Sequence, residues 1–281
     1  MTTTLRLEVP GAILTYDVRG PLPSADGRPP LLMVGSPMDA AGFARLASYF
    51  GDRTVVTYDP RGLSRSVRHD GRSDHQPARQ AADLHALIEA LGTGVVDMFA
   101  SSGGAVVALA LVAAHPGDVR ILVAHEPPLL ALLPDAERAF AAEGAVQKAY
   151  AARGLRAGQA GFTALSWWRG EFPDEFTVPD VAAEDDGSRD DPLLSGSCNP
   201  ISRHLPDFAA LTAAPTRILI AAGVESEGVM AQRAAAAVAE ALGLPLTMFP
   251  SHHRGFLGDD FPQSGRPEAF AARLREVLGT D

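Results

Sequence analysis

Cysteine is almost absent: Cys198 stands alone in 281 residues. That excludes an internal disulfide framework and a cysteine-based zinc cluster. Lysine is equally scarce, with Lys148 the single one among 24 basic residues. With alanine abundant, this reads as coding bias and not as mechanism. Positive charge is in deficit, since 34 acidic residues leave a net charge of −10, which argues against nucleic acid or an anionic membrane as partner. Long apolar runs are missing as well. The longest, Ala105 to Ala114, falls far short of the ~20 residues a membrane-spanning helix needs. The first twenty residues lack a basic start followed by an apolar stretch, so no signal peptide is expected and the chain reads as cytoplasmic. Neither Gly-Lys-Ser/Thr nor Gly-x-Gly-x-x-Gly occurs in a strand–helix turn, which removes the phosphate-loop and dinucleotide readings. No cofactor and no metal are expected.

What is present is ample apolar material, 46% of the chain, enough for one large domain or one domain with an insertion. Leu5–Val9 and Ile13–Val18 flank Pro10-Gly11 and predict a hairpin. Short continuous apolar runs follow at Leu31–Val34, Thr54–Tyr58, Val95–Ala100, Ile121–Ala124, Arg217–Ala221 and Pro245–Phe249. They read as strands buried on both faces of a parallel sheet. Helical patterns separate them at about Ala41–Phe50, Ala78–Leu91, the stretch after Ser102, Val229–Leu242 and Pro267–Leu278. Such alternation predicts an α/β class, a doubly wound and mostly parallel sheet with ligands at the carboxyl ends of its strands. From Leu129 to about Ala213 the alternation stops and only helical segments and loops are seen. The predicted organisation is therefore a core of 1–128 and 214–281 with a helical cap inserted at 129–213. Glu171 to Asp191 holds nine acidic residues and one Arg, which reads as a solvated loop of that cap.

The chain is organised around Ala100-Ser101-Ser102-Gly103-Gly104. A strand runs into a turn of very small residues and then into an Ala-rich helix, the setting of a nucleophile elbow. Ser102 is the candidate nucleophile. A serine hydroxyl needs a base, an acid to orient that base, and donors for an oxyanion. The base is expected late in the chain, where Pro250-Ser251-His252-His253-Arg254-Gly255-Phe256 stands. His253 is favoured, because Gly255 permits a tight return and Phe256 can anchor the loop. Two acids compete, Glu126 after one strand and Glu225 after the next, and spacing alone does not choose between them. Oxyanion donors would be the backbone N–H groups of Gly103 and Ser36, with Met38 the alternative to Ser36. Candidate pocket walls are Met38, Pro127, Leu129, Phe162, Trp167, Trp168 and Phe256.

Four stretches, in this order, resemble the α/β-hydrolase superfamily over essentially the whole chain: Val34-Gly35-Ser36-Pro37, Asp59-Pro60-Arg61-Gly62-Leu63-Ser64-Arg65-Ser66, the elbow, and His253-Arg254-Gly255-Phe256. The resemblance implies the α/β-hydrolase fold and a Ser–His–acid triad. The family's usual acid position falls on Ser226, whereas some lactonases and dehalogenases place the acid after the strand that follows the elbow, where Glu126 stands. Pro127-Pro128 would also hold Glu126 stiffly. The expectation is a cofactor-free serine hydrolase with Ser102, His253 and Glu126, acting on a neutral, fairly apolar small-molecule ester or lactone through an acyl-enzyme. Carbon–carbon bond hydrolysis or peroxide-dependent chemistry on the same triad is the near alternative. A ligand receptor or non-hydrolytic cyclase on the same fold is the alternative of another class.

Overall fold

The computed structural model describes residues 2–182, 184–258 and 263–279. The hairpin forms as expected, with β1 (Thr2–Val9) antiparallel to β2 (Ala12–Arg19). Parallel strands β3 (Leu31–Val34), β4 (Val55–Asp59), β6 (Val96–Ser101), β7 (Val119–His125), β8 (Arg217–Gly223) and β9 (Thr247–Phe249) follow. A two-residue strand β5 (Val67–Arg68), not expected from the sequence, pairs with the edge of β2. The sheet order is β1-β2-β4-β3-β6-β7-β8-β9. Parallel neighbours β3, β6, β7 and β8 therefore bring their carboxyl ends to one edge.

Strand side chains alternate between two apolar layers, as period-two geometry requires. Leu32, Val34, Met98 and Leu122 face one layer, closed by α2 (Pro77–Leu91), α3 (Gly103–Ala114) and α7 (Met230–Ala241). Leu31, Met33, Phe99 and Val123 face the other, closed by α1 (Ala44–Ser48) and α8 (Pro267–Gly279). The helix expected at 41–50 begins instead as a 3-10 turn, Ala40–Phe43, capped by Asp39. Ala40 N–H also donates to Asp59 Oδ1 at 3.0 Å, and that bond holds the turn against the end of β4.

Between β7 and β8 the described residues form α4 (Ala136–Ser166), α5 (Asn199–Ser202), α6 (Phe208–Ala213) and connecting segments. Helix α4 is broken at Gly154, where φ is +75° and ψ is −165°, a conformation glycine adopts without the Cβ penalty. Its two arms fold back on each other. A Cβ at Gly158 would come within 2.9 Å of Tyr150 Cβ, and one at Gly161 within 3.3 Å of Val146 Cγ2. Leu133, Ala142, Val146, Tyr150 and Leu165 form the core of this block together with Met230 of α7.

The Asp59–Ser66 stretch ties the loops together. Arg61 is almost wholly buried and its guanidinium grips both carboxylate oxygens of Asp83 on α2. Ser66 Oγ donates to Asp59 O at 2.7 Å and accepts Thr15 N–H at 2.8 Å. Burial pushes the Asp83 carboxyl up, and the Arg61 charge opposes that shift. Removing one member of a buried ion pair strands the other. Arg61→Ala should therefore cost about 3–5 kcal/mol in urea unfolding at pH 7. The loss should shrink toward acid pH, where the orphaned carboxyl takes up a proton; a loss that does not vary with pH would contradict this account.

Candidate active site

At the end of β6 the chain turns through Ser102, whose φ of +56° and ψ of −131° lie outside the regions open to most L-residues. Such a conformation stores on the order of 1–3 kcal/mol. It is held by Ser102 N–H donating to His125 O at 2.9 Å and by Ala105 N–H donating to Ser102 O at 2.9 Å. The small residues that follow are needed by contact. A Cβ at Gly103 would sit 2.3 Å from Ser36 O, and one at Gly104 2.4 Å from Val34 O. Helix α3 can thus press its start against the end of β3, which brings the Ser36 backbone beside the elbow. As the first residue of α3, Gly103 has an N–H with no carbonyl four residues earlier to bond. Ser36 is fixed from behind, its Oγ donating to Gln80 Oε1 of α2 at 3.1 Å in a buried contact.

Glu126 follows β7 directly and is fully buried. Its φ of +48° turns the chain sharply away from the strand. Its N–H donates to Ala221 O at 2.9 Å, its Oε1 accepts Gly223 N–H at 2.8 Å, and its Oε2 lies 2.6 Å from His253 Nδ1. Burial works against ionisation of this carboxyl. The hydrogen bond from His253, the positive charge that His125 or His253 can carry, and the Gly223 N–H outweigh it and hold the pKa down at about 2. Glu225 lies elsewhere, on the surface, paired with Arg266 at 3.2 Å. His125 sits beneath, fully buried among Phe99, Phe249, Phe256 and Phe270. Burial pushes its pKa down to about 4, so it is neutral at pH 7.

Ser102, Gly103, Ser36 and His253 all open on one cavity of about 620 Å³. Of the expected pocket walls, Met38, Phe162, Trp167 and Phe256 line it. Pro127, Leu129 and Trp168 do not. The turn at Glu126 carries Leu129 into the core of the sheet, and Pro128 and Leu130 reach the cavity in place of Pro127 and Leu129. Trp168 points outward onto Phe172 and Phe176, with its Nε1 donating to Glu171 O at 2.9 Å. Trp167 instead packs edge-on against His252, ring centroids 5.4 Å apart. Cys198 also lines the cavity. Burial pushes its thiol up to about 12, which leaves it protonated and a poor nucleophile.

Sequence reasoning missed several lining residues. Ser226, where the resemblance puts the usual acid, is buried in the cavity wall and its Oγ has no hydrogen-bond partner among the described residues. Glu143 and Gln147 were also missed; their four-residue spacing in an Ala-rich helix was the available signal. Away from the cavity, His85, His115 and Asp118 come together. The two rings are stacked 3.7 Å apart and His85 Nδ1 lies 2.8 Å from Asp118 Oδ2. Stacked imidazoles do not aim their nitrogens at one point, so a shared ion would require both rings to turn.

No protein-family model matches the chain. Its fold is nevertheless shared along almost its full length. A thermophilic esterase from Thermogutta terrifontis superposes with a TM-score of 0.65 at 18% identity, over 98% of either chain. The enol-lactonase from Burkholderia xenovorans LB400 gives 0.61 at 17% identity, over 98% of this chain and 100% of that one. The chain has the α/β-hydrolase fold. Among curated proteins, the uncharacterized hydrolase YraK of Bacillus subtilis (strain 168) is 38% identical over 128 residues. That match spans 45% of this chain and 45% of YraK, so just under half the relative's length is covered. Within the α/β-hydrolase fold the cavity lies at the carboxyl ends of the parallel strands, where ligands bind in open α/β sheets. Among the described residues no helix is long and apolar enough to cross a membrane.

The Glu126 carboxyl has its own pH signature. Its pKa in the fold, about 2, lies below the ordinary 4.5. The carboxylate therefore stabilises the fold above pH 4.5, and that contribution fades as the pH falls toward 2. The stability gap between wild type and Glu126→Gln, read from urea midpoints, should be widest near neutrality and should narrow steadily from pH 5 to pH 2. A gap that does not change over that range would mean that this carboxylate is not the group held ionised.

Proposed function

We propose that the protein is a cofactor-free serine hydrolase of the carboxylesterase or lactonase type. The observation that carries this reading is the 2.6 Å contact of His253 Nδ1 with the buried, ionised Glu126, on a cavity that also holds the strained Ser102. In this reading Glu126 fixes the ring so that Nε2 is left to face the cavity. Ser102 attacks the acyl carbon of a bound ester or lactone while His253 takes its proton. The N–H groups of Gly103 and Ser36 receive the developing oxyanion. Collapse returns the proton to the leaving alkoxide, and water repeats the sequence on the acyl-enzyme. A buried carboxylate beside Nδ1 stabilises the imidazolium that forms in both halves of the cycle.

An organophosphonate probe should label Ser102, and Ser102→Ala should abolish both labelling and turnover of short-chain esters and lactones. Labelling at Ser101 or Ser36 would end the assignment, and binding of such compounds without product would favour a receptor. Glu126→Gln should lower kcat on the order of 10³-fold or more, while Glu225→Gln stays within about tenfold of wild type. The reverse ranking would move the acid to the other strand.

Residues 129–213 are read as a cap that sets substrate size, because Phe162, Leu165 and Trp167 of that block line the cavity. Trp167→Ala should alter KM and chain-length preference far more than kcat on a small ester. Trp168→Ala, which removes a ring that packs on Phe172 and Phe176 and does not line the cavity, should leave that preference where it was. Equal effects of the two changes would refute the cap reading.

A further inference from the structure

The cavity walls are not chemically alike. The second arm of α4 and its neighbours give it Phe162, Leu165, Trp167 and Phe256. The first arm gives it Glu143 and Gln147, one turn apart on the same face, and α5 adds Asn199 and Ser202. Between those two α5 residues, Ile201 packs onto the elbow, its Cδ1 lying 3.1 Å from where a Gly103 Cβ would be. The polar wall thus stands beside Ser102 and not at a remote rim.

Most of that wall is already satisfied. Gln147 Nε2 donates to Asn199 Oδ1 at 2.7 Å, and Asn199 Nδ2 donates back to Gln147 Oε1 at 3.4 Å, a reciprocal amide pair that fastens α5 to α4. Glu143 is different. Ser202 Oγ at 3.1 Å and Arg203 at 3.2 Å both donate to its Oε2, and Oε1 has no partner among the described residues. Burial pushes the Glu143 carboxyl up, against the pull of Arg203 and Ser202. The side chain keeps 16% of its surface exposed, in the wall of the cavity, so this oxygen is accessible to a donor there. Ala139, Ala142 and Val146 around it are buried and apolar, and packing would be served by a leucine there. Arg203 and Ser202 engage one oxygen of this carboxylate, and the other is left open to a donor in the cavity that Glu143 lines.

We propose that Glu143 Oε1 is the acceptor of a substrate hydroxyl, so that the preferred substrate is a hydroxylated ester or lactone, apolar along its chain with one hydroxyl set apart from the scissile bond. This rests on the serine-hydrolase reading of the same cavity. A neutral donor fits better than an ammonium group. Arg203 already offsets the carboxylate charge, and a second cation at Oε1 would lie close to the first.

The test uses the full chain and three substrates: ethyl hexanoate, ethyl 3-hydroxyhexanoate and ethyl 6-hydroxyhexanoate. Release of acid is followed with a pH indicator for wild type, Glu143→Leu and Glu143→Gln. Wild type should favour one hydroxy ester over ethyl hexanoate in kcat/KM by about tenfold or more, the effect of a hydrogen bond to a charged acceptor. Glu143→Leu should bring that ratio to near one, and Glu143→Gln, which keeps a hydrogen-bonding atom in place, should retain most of it. A wild-type ratio near one for both hydroxy esters, a ratio that survives Glu143→Leu, or hydrolysis of none of the three overturns the proposal. Organophosphonate labelling of each protein separates the two levels and reports folding. An unlabelled Ser102 in wild type sinks the serine-hydrolase reading itself. Labelling in all three proteins with an unmoved ratio sinks the hydroxyl subsite alone.

Discussion

Glu126 joins three pieces of the molecule. Its backbone N–H continues the β7–β8 ladder to Ala221, one oxygen takes the Gly223 N–H, and the other meets His253. The loop after β9 is drawn down tightly over the end of β8. A Cβ at Gly223 would lie 2.6 Å from Ser251 O, and Glu225 N–H donates to that same oxygen at 2.9 Å. Desolvating a carboxylate is expensive, and only several converging donors offset it. Here those donors come from two different elements, so burial of the carboxylate is offset only when strand ends and histidine loop are all in register. Site geometry and fold are coupled through one ion.

Backbone strain gathers in the same place. Ser102, Glu126 and Ser251 all have φ between +48° and +70° without being glycine. Each is a pivot at a strand end or loop that a relaxed chain would avoid, and each is held by neighbours. Beneath them Phe99, Phe249, Phe256 and Phe270 pack around the neutral ring of His125, a stiff apolar floor. The Ser102 turn, the Glu126 turn and the loop that carries His253 thus rest on a packed apolar support.

Much of this was legible in the sequence because the signals were local. Leu31–Val34 and Val96–Ser101 are continuous apolar strands between turn residues, and the strand–turn–helix context of Ser102 is written in its small neighbours. The sequence favours Glu126 over Glu225 for its stiff loop and because Glu225 falls one position short of the family's usual acid; in the structure Glu126 contacts His253 and Glu225 pairs with Arg266. What was not legible depended on phase set by tertiary packing. Leu129 against Leu130, and Trp167 against Trp168, differ by one position in segments with no clean period, and only the turn at Glu126 and the outer cluster of Phe172 and Phe176 decide which of each pair faces inward. The break in α4 was equally hidden. Gly144, Gly154, Gly158 and Gly161 look alike in an Ala-rich stretch. Gly144, Gly158 and Gly161 sit in helix, and of the four Gly154 alone takes a left-handed φ.

The place of Glu126 beside His253 has a physical basis. Strands β7 and β8 are neighbours in parallel register, His125 opposite Ala221, so their outgoing loops rise side by side under the histidine. The Glu126 carboxylate reaches His253 Nδ1, and a second carboxylate there would oppose it in a poorly solvated space. This chain places Glu126 on the first loop and leaves a neutral serine, Ser226, on the second, while Glu225 is turned outward to Arg266. Glu126 is one methylene longer than aspartate, and its chain is turned back at once by a left-handed φ. The extra reach lets one oxygen hold β8 while the other meets the imidazole. The longer side chain, the strained residue that carries it and the uncharged serine on the neighbouring loop are thus three parts of one solution to placing a single negative charge behind His253.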